Sequence, residues 1–154
     1  MKVGEIMIKD VVSFKPADPI HYVAWSLREK RISGGPVVDD GKVVGIVSER
    51  DIMRLLEKQN IRINLFLPSP FDVIELPLKL KRELNEIAEV VQKTARTSVE
   101  EIMAKKVFTV TEDTLVAEAA RIMGDMKVNR LPVVDKDGKL RGIVTRGDLI
   151  GTLV

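Results

Sequence analysis

An internal repeat constrains the fold of this chain more than any other feature, because each copy of a repeat forms the same kind of structural unit. Residues Val3–Met7 match Val99–Met103. Pro36 matches Pro132 at the same offset of 96 residues (132 − 36 = 96). The chain therefore contains two copies of one sequence unit.

The second half of each copy aligns after one inserted residue in the second copy. There, Gly45-Ile46-Val47 matches Gly142-Ile143-Val144. About 17 of about 50 aligned positions are identical, which is more than unrelated segments share. We therefore divide the chain of 154 residues into two copies, at 1–57 and 97–154, and a non-repeated segment at 58–96.

Each copy predicts the order β-α-β-β-α. The segments 11–14 and 107–110 are rich in β-branched and aromatic residues, which favours short strands. Asp18-Pro19 then predicts a helix start, with Asp18 as the N-cap and Pro19 at the first helical position. Apolar residues follow at helical spacing. They are Ile20, Val23, Ala24 and Leu27 in the first copy and Leu115, Ala119, Ile122 and Met126 in the second.

Two strands and a second helix complete each copy. Asp40-Gly41 and Asp137-Gly138 predict tight hairpin turns, which need positive φ angles. The second helix is predicted to begin near Ser48 or Thr145. A unit of about 50 residues is too small to cover both faces of its sheet. We therefore predict a mixed α/β (α+β) fold in which the two copies bury these faces against each other around a pseudo-two-fold axis.

The segment between the copies is apolar and holds three of the seven prolines. Its composition predicts that residues 63–77, preceded by Ile61, fold against the body of the protein rather than form a solvated tether. Pro68, Pro70 and Pro77 exclude a continuous helix there. Residues 78–96 predict an amphipathic helix. Its apolar face comprises Leu80, Leu84, Ile87, Ala88 and Val91.

Composition excludes several classes of site. The chain has no Cys and one His, which excludes a disulfide framework, a Cys nucleophile and any site that needs two imidazoles. It contains neither the phosphate-loop pattern GxxxxGK nor the dinucleotide pattern GxGxxG. A catalytic triad would have to use His21, which has no nucleophile-elbow motif nearby. We therefore expect no enzymatic activity and no metal or other cofactor.

Charge and hydropathy bear on location and partners. The formal net charge is +2, and acidic residues are interspersed with basic ones, so the sequence provides no basic face for nucleic acid. The N-terminus lacks the apolar segment of a signal peptide, and no apolar run approaches the roughly 18 residues that span a bilayer. We therefore expect a cytoplasmic protein without membrane contacts.

The same corner occurs where the last strand of each copy meets its last helix. Ser48 precedes Asp51 by three residues, and Thr145 precedes Asp148 by three. A hydroxyl and free amides at a helix N-terminus can hold a phosphate, and a carboxylate one turn later can accept both hydrogen bonds of a ribose diol. The alternative is ordinary helix capping, for which the same spacing is common.

This pattern resembles a pair of CBS domains, a family named after cystathionine β-synthase. The resemblance rests on PVVD, then G, then GIV[ST]xxD[IL], which occurs at 36–52 and again at 132–149. It implies a regulatory module that binds AMP, ADP, ATP or S-adenosylmethionine between the two copies and signals to another protein by a conformational change. It also implies that Asp51 and Asp148 bind ribose and that Ser48 and Thr145 face phosphate.

Further candidate ligand contacts lie near these corners. Arg50 and Arg146 could reach a phosphate, or could be solvated surface side chains. Gly34-Gly35 would let a flat base approach the backbone, or could be a tight turn into a strand. The second copy has Arg130 at this place, within Asn129-Arg130-Leu131. We therefore expect the two sites to be unequal.

Four apolar residues could contact the adenine base, although the default role of such residues is in the core. They are Val12, Phe14, Phe108 and Val110.

A stripe on the first long helix suggests an interface. Tyr22 and Trp25 lie away from its apolar face, and paired aromatic residues are enriched in protein contacts. The matching positions in the second copy are Glu118, Arg121 and Asp125. We predict that Tyr22 and Trp25 lie in a homodimer contact.

A second function remains open from the sequence. The Gly34-Gly35 pair and the aromatic stripe also suit a scaffold that binds protein or nucleic acid and whose ligand sites are vestigial. The regulated partner cannot be identified from the residues.

Overall fold

The computed structural model describes residues 1–59 and 76–154. This part of the chain contains seven helices and four strands. The strands form two antiparallel hairpins, one in each copy. The elements in chain order are α1 (Val3–Ile6), α2 (Ile20–Lys30), β1 (Gly34–Asp39), β2 (Lys42–Ser48), α3 (Glu49–Lys58), α4 (Leu76–Arg96), α5 (Val99–Ile102), α6 (Val116–Met126), β3 (Arg130–Val134), β4 (Leu140–Thr145) and α7 (Arg146–Gly151).

The hairpins form where the Asp-Gly pairs predict them. In the first, Asp40 and Gly41 have φ angles of 51° and 78°, as a two-residue turn between twisted strands requires. The inserted residue makes the second turn longer. There, the Asp135 carboxylate accepts hydrogen bonds from the Asp137 and Lys139 amides at 2.8 and 3.0 Å.

The strands expected at 11–14 and 107–110 are wrong as strands. Each segment contributes one parallel bridge, Phe14 to Val37 and Val110 to Val133. In the first copy the chain turns away at once, because the Asp18 carboxylate accepts a hydrogen bond from the Lys15 amide at 2.7 Å. Asp18 is therefore a turn residue, and the N-cap position of α2 is filled by the residue that follows it.

Each copy gives its first helix to the core of the other. Val3 of α1 is fully buried in the core of the second copy, and its amide donates to the Thr114 carbonyl at 2.8 Å. Val99 of α5 is fully buried in the core of the first copy, and its amide donates to the Asp18 carbonyl at 2.8 Å. The two halves are therefore interlocked, not only packed face to face.

This exchange explains why a glycine recurs in the middle of the last strand. A Cβ at Gly45 would lie 2.9 Å from Met103 Cγ, in the segment that follows α5. A Cβ at Gly142 would lie 2.7 Å from Met7 Sδ, in the segment that follows α1. Both strands need a residue without a side chain because the exchanged segment packs directly on their backbone.

The buried face of α6 differs from the predicted one. Ala119 is fully buried as expected, but Leu115 and Met126 are 56% and 47% exposed. Met123, one turn after Ala119, fills the core instead. Leu115 does not enter the core because it is the N-cap of α6 and precedes the helical turn that faces the core. The face predicted for α2 is confirmed at Ile20, Val23 and Leu27, which are all buried, whereas Ala24 is half-buried.

Helix α4 forms as predicted but starts earlier and is rotated. It begins at Leu76, so Pro77 lies in its first turn, where a missing amide costs nothing. The predicted face is only partly correct, because Leu84 and Val91 are half exposed. Ala88 is exposed as well. The helix packs against α2, and its buried end is Thr94.

The predictions for 61–75, with Pro68 and Pro70, lie outside the described residues. Leu80 of α4 is half-buried.

Candidate functional site

Two cavities of similar size lie between the copies. The first, here the Asp51 cavity, has a volume of about 470 Å³. The second, the Thr145 cavity, has a volume of about 480 Å³. Both fall in the range of about 300–1,000 Å³ that is typical of small-molecule sites.

Each cavity is built from both copies. The Asp51 cavity combines the start of α3 (Ser48, Asp51) with Phe108 from the second copy. The Thr145 cavity combines the start of α7 with Val12 from the first copy. A ligand in either cavity would therefore contact both halves of the molecule.

The corner at α3 is a reciprocal cap. Asp51 Oδ2 accepts hydrogen bonds from the Ser48 amide at 2.9 Å and from the Ser48 hydroxyl at 3.2 Å. Asp51 Oδ1 lies 3.8 Å from Arg54 Nη1. The capping alternative is therefore realised, and it occupies one carboxylate oxygen while the other faces a guanidinium.

The corner at α7 has the same design on a shorter helix. Asp148 Oδ2 accepts hydrogen bonds from the Thr145 amide at 2.7 Å and from its hydroxyl at 2.8 Å. Thr145 and Arg146 line the cavity, whereas Asp148 does not. Helix α7 has six residues against ten in α3, so the field of its backbone dipoles is weaker. The two corners are thus similar in hydrogen bonding and unequal in access.

The sequence matches the model of a known domain family. The CBS domain model matches residues 3–58 and 99–154. The chain belongs to the CBS domain family. The predicted family and the predicted tandem fold are therefore confirmed.

Relatives of full length support the assignment. An uncharacterised protein of Methanocaldococcus jannaschii, MJ1426, is 43% identical over 100% of this chain and 92% of its own length. The solved structure of CBSX2 in complex with AMP has a TM-score of 0.70 and 30% identity, with 99% of this chain and 95% of that chain covered. CBSX2 is a chloroplast protein of Arabidopsis thaliana.

A second solved structure carries other ligands. The CBS domain pair of protein MJ0100, in complex with 5′-methylthioadenosine and S-adenosyl-L-methionine, has a TM-score of 0.73 and 25% identity and covers 99% of this chain and 95% of its own. An enzyme also matches. The inosine-5′-monophosphate dehydrogenase of Thermoplasma acidophilum is 29% identical over 94% of this chain, but the match spans 22% of that enzyme.

Arg130 is the side chain that distinguishes the two CBS copies most clearly. It lines both cavities, and its Nη2 donates to Ser33 Oγ at 2.6 Å. Its guanidinium rests against Gly34, where a Cβ would overlap it and would also lie 2.7 Å from the Val47 carbonyl oxygen. Gly34 therefore makes room for Arg130, and the two copies differ in structure at this position. Unequal binding by the two sites stays a prediction.

Charge in the wall between the cavities favours anions. Burial lowers the pKa of Arg130 below its ordinary value, and the nearby Glu49 and Asp51 carboxylates counteract this. The group nevertheless stays cationic, because an arginine pKa lies far above neutral pH. Five basic and two acidic side chains line the Asp51 cavity. Three basic and one acidic side chain line the Thr145 cavity.

Some predicted contacts are buried elsewhere. Phe14 and Val110 are 1% and 5% exposed and belong to the two cores. Neither lines either cavity. Gly35 packs against the Val12 carbonyl, 2.7 Å from where a Cβ would stand. Phe14 and Val110 therefore have the core role, and Gly35 lies within β1 rather than in a turn. The other predicted contacts that line a cavity are Val12, Gly34, Arg50 and Phe108.

Sequence motifs did not predict several of the basic residues that line the cavities. The Asp51 cavity includes Arg54, Lys106 and Lys127, and the Thr145 cavity includes Arg31. Arg54 could have been found, because it lies one helical turn after Asp51. The others arrive from distant segments, and no local spacing marks them.

The predicted aromatic stripe is exposed, and its two rings contact each other. Tyr22 and Trp25 are 43% and 60% exposed, and their rings stack with centroids 6.4 Å apart. At the matching place in the second copy, Arg121 bonds to Glu118 at 2.6 Å and to Asp125 at 2.8 Å. Equivalent faces of the two copies thus carry aromatic rings in one case and a closed ion-pair group in the other.

Within residues 1–59 and 76–154, no helix combines the length and apolar character that crossing a bilayer requires. The same residues contain no cluster of three His, Asp or Glu side chains suited to a metal ion.

Proposed function

We propose that this CBS pair is a regulatory module that binds adenosine-containing ligands, such as AMP, ADP, ATP or S-adenosylmethionine. The observation that carries this proposal is the pair of cavities between the copies, each next to a hydroxyl–carboxylate corner at a helix start. The complexes of CBSX2 with AMP and of the MJ0100 pair with adenosyl ligands support it.

The Asp51 cavity suggests how such a ligand would bind. Asp51 Oδ1 would accept from a ribose hydroxyl, since Oδ2 already caps α3. The phosphate would lie toward the start of α3, where Arg50 and Lys106 line the cavity. Phe108 is an aromatic residue of this cavity and would contact the base. Its ring lies 5.7 Å from Lys106 Nζ, so the contacts to base and phosphate would be neighbours.

Signalling would follow from differential affinity. A ligand that touches both copies favours whichever arrangement of the halves gives it better contacts. Because the copies exchange α1 and α5, a shift between them moves both cores together. A regulated partner protein would respond to that shift.

Isothermal titration calorimetry with AMP, ATP and S-adenosylmethionine tests the proposal. We expect at least one of them to bind with a micromolar dissociation constant. Binding should weaken in Asp51→Asn, which keeps an acceptor for the cap but loses the charge. The matched control is Asp113→Asn, an exposed carboxylate that lines neither cavity. Absence of binding by all three ligands at millimolar concentration would overturn the proposal.

We also propose a homodimer through the aromatic stripe. Stacked, half-exposed Tyr22 and Trp25 form the type of surface that a second protein covers. Light scattering of Trp25→Glu should give half the mass of the unaltered chain. The control is Arg121→Glu, at the matching position of the second copy. An unchanged dimer in Trp25→Glu would eliminate this contact.

We propose a non-catalytic role, because the match to the dehydrogenase spans 22% of that enzyme. The cytoplasmic location stays a prediction, and relatives include proteins named as chloroplastic. A scaffold role with vestigial sites is the second candidate, favoured only by the exposed aromatic pair.

A further inference from the structure

The wall between the two cavities contains one shared cation. Arg130, Ser33 and Asn129 line both cavities. Arg130 projects from the start of β3 toward Gly34, which is its counterpart in the first copy. One guanidinium therefore stands where a symmetric module would have two equivalent groups.

The guanidinium has hydrogen-bonding capacity left over. Nη2 donates to Ser33 Oγ at 2.6 Å. Nη1 is buried and has no hydrogen-bond partner among the residues that the structure describes. A buried donor of this kind gains when an anionic acceptor arrives, because charge-assisted hydrogen bonds are strong in a poorly solvated site.

We infer that Arg130 couples the two cavities, so that an anionic adenosyl nucleotide in one weakens the binding of a second one in the other. This inference rests on the proposed function. The first phosphate to bind recruits the shared guanidinium and neutralises it. A second phosphate then finds that cation already engaged and loses this contact. The coupling is therefore electrostatic and requires charge on the ligand.

Neutral and charged ligands separate this mechanism from mere inequality of the sites. AMP and adenosine share the base and the ribose and differ in the phosphate. With AMP, the second binding step should be at least about fivefold weaker than the intrinsic affinity of that cavity, the lower end of typical coupling between sites. With adenosine, the two steps should be independent.

Single-cavity variants supply the intrinsic affinities. Gly147→Trp fills the Thr145 cavity, which Gly147 lines, and leaves the lining of the Asp51 cavity unchanged. Ala104→Trp fills the Asp51 cavity and leaves the lining of the Thr145 cavity unchanged. If the cavities are independent, the AMP titration of the unaltered chain equals the sum of the two single-cavity titrations. Coupling makes the second step weaker than this sum.

Arg130→Met removes the charge but keeps much of the aliphatic stem that fills the wall. In this variant the AMP titration should become the sum of two independent, weaker sites. Circular dichroism and thermal unfolding check that each variant is folded. If Arg130→Met is not folded, Arg130→Gln provides a second uncharged side chain at this position for the same comparison.

The possible results are distinct. Failure of AMP, ATP and S-adenosylmethionine to bind overturns the proposed function itself. Binding of two AMP molecules without coupling, or equal coupling for AMP and adenosine, overturns the role of Arg130 while the proposed function stands. Coupling confined to the charged ligand and lost in Arg130→Met supports it.

Discussion

The guanidinium of Arg130 packs against the backbone of Gly34, the residue at the equivalent position of the other CBS copy. The two residues descend from one position of the repeat, and they meet beside the pseudo-two-fold axis. An arginine in both copies would place two cations in one space, and a glycine in both would leave the wall without its cation. With a large side chain in one copy and none in the other, the space between the copies holds one guanidinium.

Gly34→Ala tests this fit. The added methyl group would overlap the Arg130 guanidinium and lie 2.7 Å from the Val47 carbonyl oxygen. We expect a loss of about 1–3 kcal/mol in the free energy of unfolding, typical of an overpacked site. Urea denaturation measures it.

Gly124→Ala is the matched control for this substitution. Gly124 lies in α6, and a Cβ there meets nothing within 4 Å. This change should stabilise the protein by about 0.5–1 kcal/mol, because alanine favours a helix over glycine. Equal effects of the two substitutions would contradict the close packing at Gly34.

Local patterns predicted the repeat, the hairpins, most of the helices and the family. They succeeded because hairpin turns and caps depend on neighbouring residues: Asp40-Gly41 adopts its turn, and Ser48 and Asp51 cap α3. The bridges at Phe14 and Val110 were overestimated as strands, because a strand needs a partner of equal length and the sequence does not reveal where the chain turns away.

The exchange of first helices lay beyond local reasoning. Val3 and Val99 are apolar residues at matching repeat positions, and each fits either core by size. Which core each enters depends on the connection between elements, which no spacing records. The same limit applies to the site. Lys106 and Lys127 reach the Asp51 cavity through the packing of the second copy against the first, whereas Asp51 was found because its spacing from Ser48 is local.

Interlocking of the cores predicts that the two CBS copies unfold together. Val3→Ala removes two methyl groups from the core of the second copy and should cost about 2 kcal/mol, since burial of an aliphatic side chain contributes about that much. Trp25, the only tryptophan, lies on α2 of the first copy. Its fluorescence should report the same lowered transition as circular dichroism. Val99→Ala, in the first core, is the matched comparison. An unchanged fluorescence transition in Val3→Ala would mean that the copies unfold separately.

The turn of the second hairpin predicts a pH dependence. Hydrogen bonds from the Lys139 and then the Asp137 amides lower the pKa of Asp135 below its usual value, and the charges of Arg141 and Lys139 add to this, while desolvation opposes it. A carboxyl group whose pKa is lowered on folding stabilises the fold above its unfolded pKa. This contribution is lost as pH falls through the folded value.

Asp135→Asn keeps an acceptor for both amides and removes the charge. The difference in melting temperature between this variant and the unaltered chain should therefore be greatest above about pH 5 and should shrink toward about pH 2, since unfolded aspartate titrates near pH 3.9. Asp137→Asn is the control, because it removes the same charge from the same turn. Asp137 contributes its backbone amide to the turn as a hydrogen-bond donor, and this substitution leaves that amide in place. A constant difference at all pH values would refute the role of the Asp135 charge.

Lys106 predicts how the Asp51 cavity distinguishes charged from neutral ligands. It lines this cavity, whereas its exposed neighbour Lys105 lines neither cavity. If Lys106 contacts phosphate, Lys106→Met should weaken AMP by about tenfold, or about 1.4 kcal/mol, and leave adenosine nearly unchanged. Lys105→Met has the same effect on net charge and should change neither affinity. Calorimetry in the Gly147→Trp background, in which the Thr145 cavity is filled, confines the measurement to the Asp51 cavity. Equal weakening of AMP by both substitutions would show that only the overall charge matters, and equal weakening of AMP and adenosine by Lys106→Met would place the lysine at the base rather than at the phosphate.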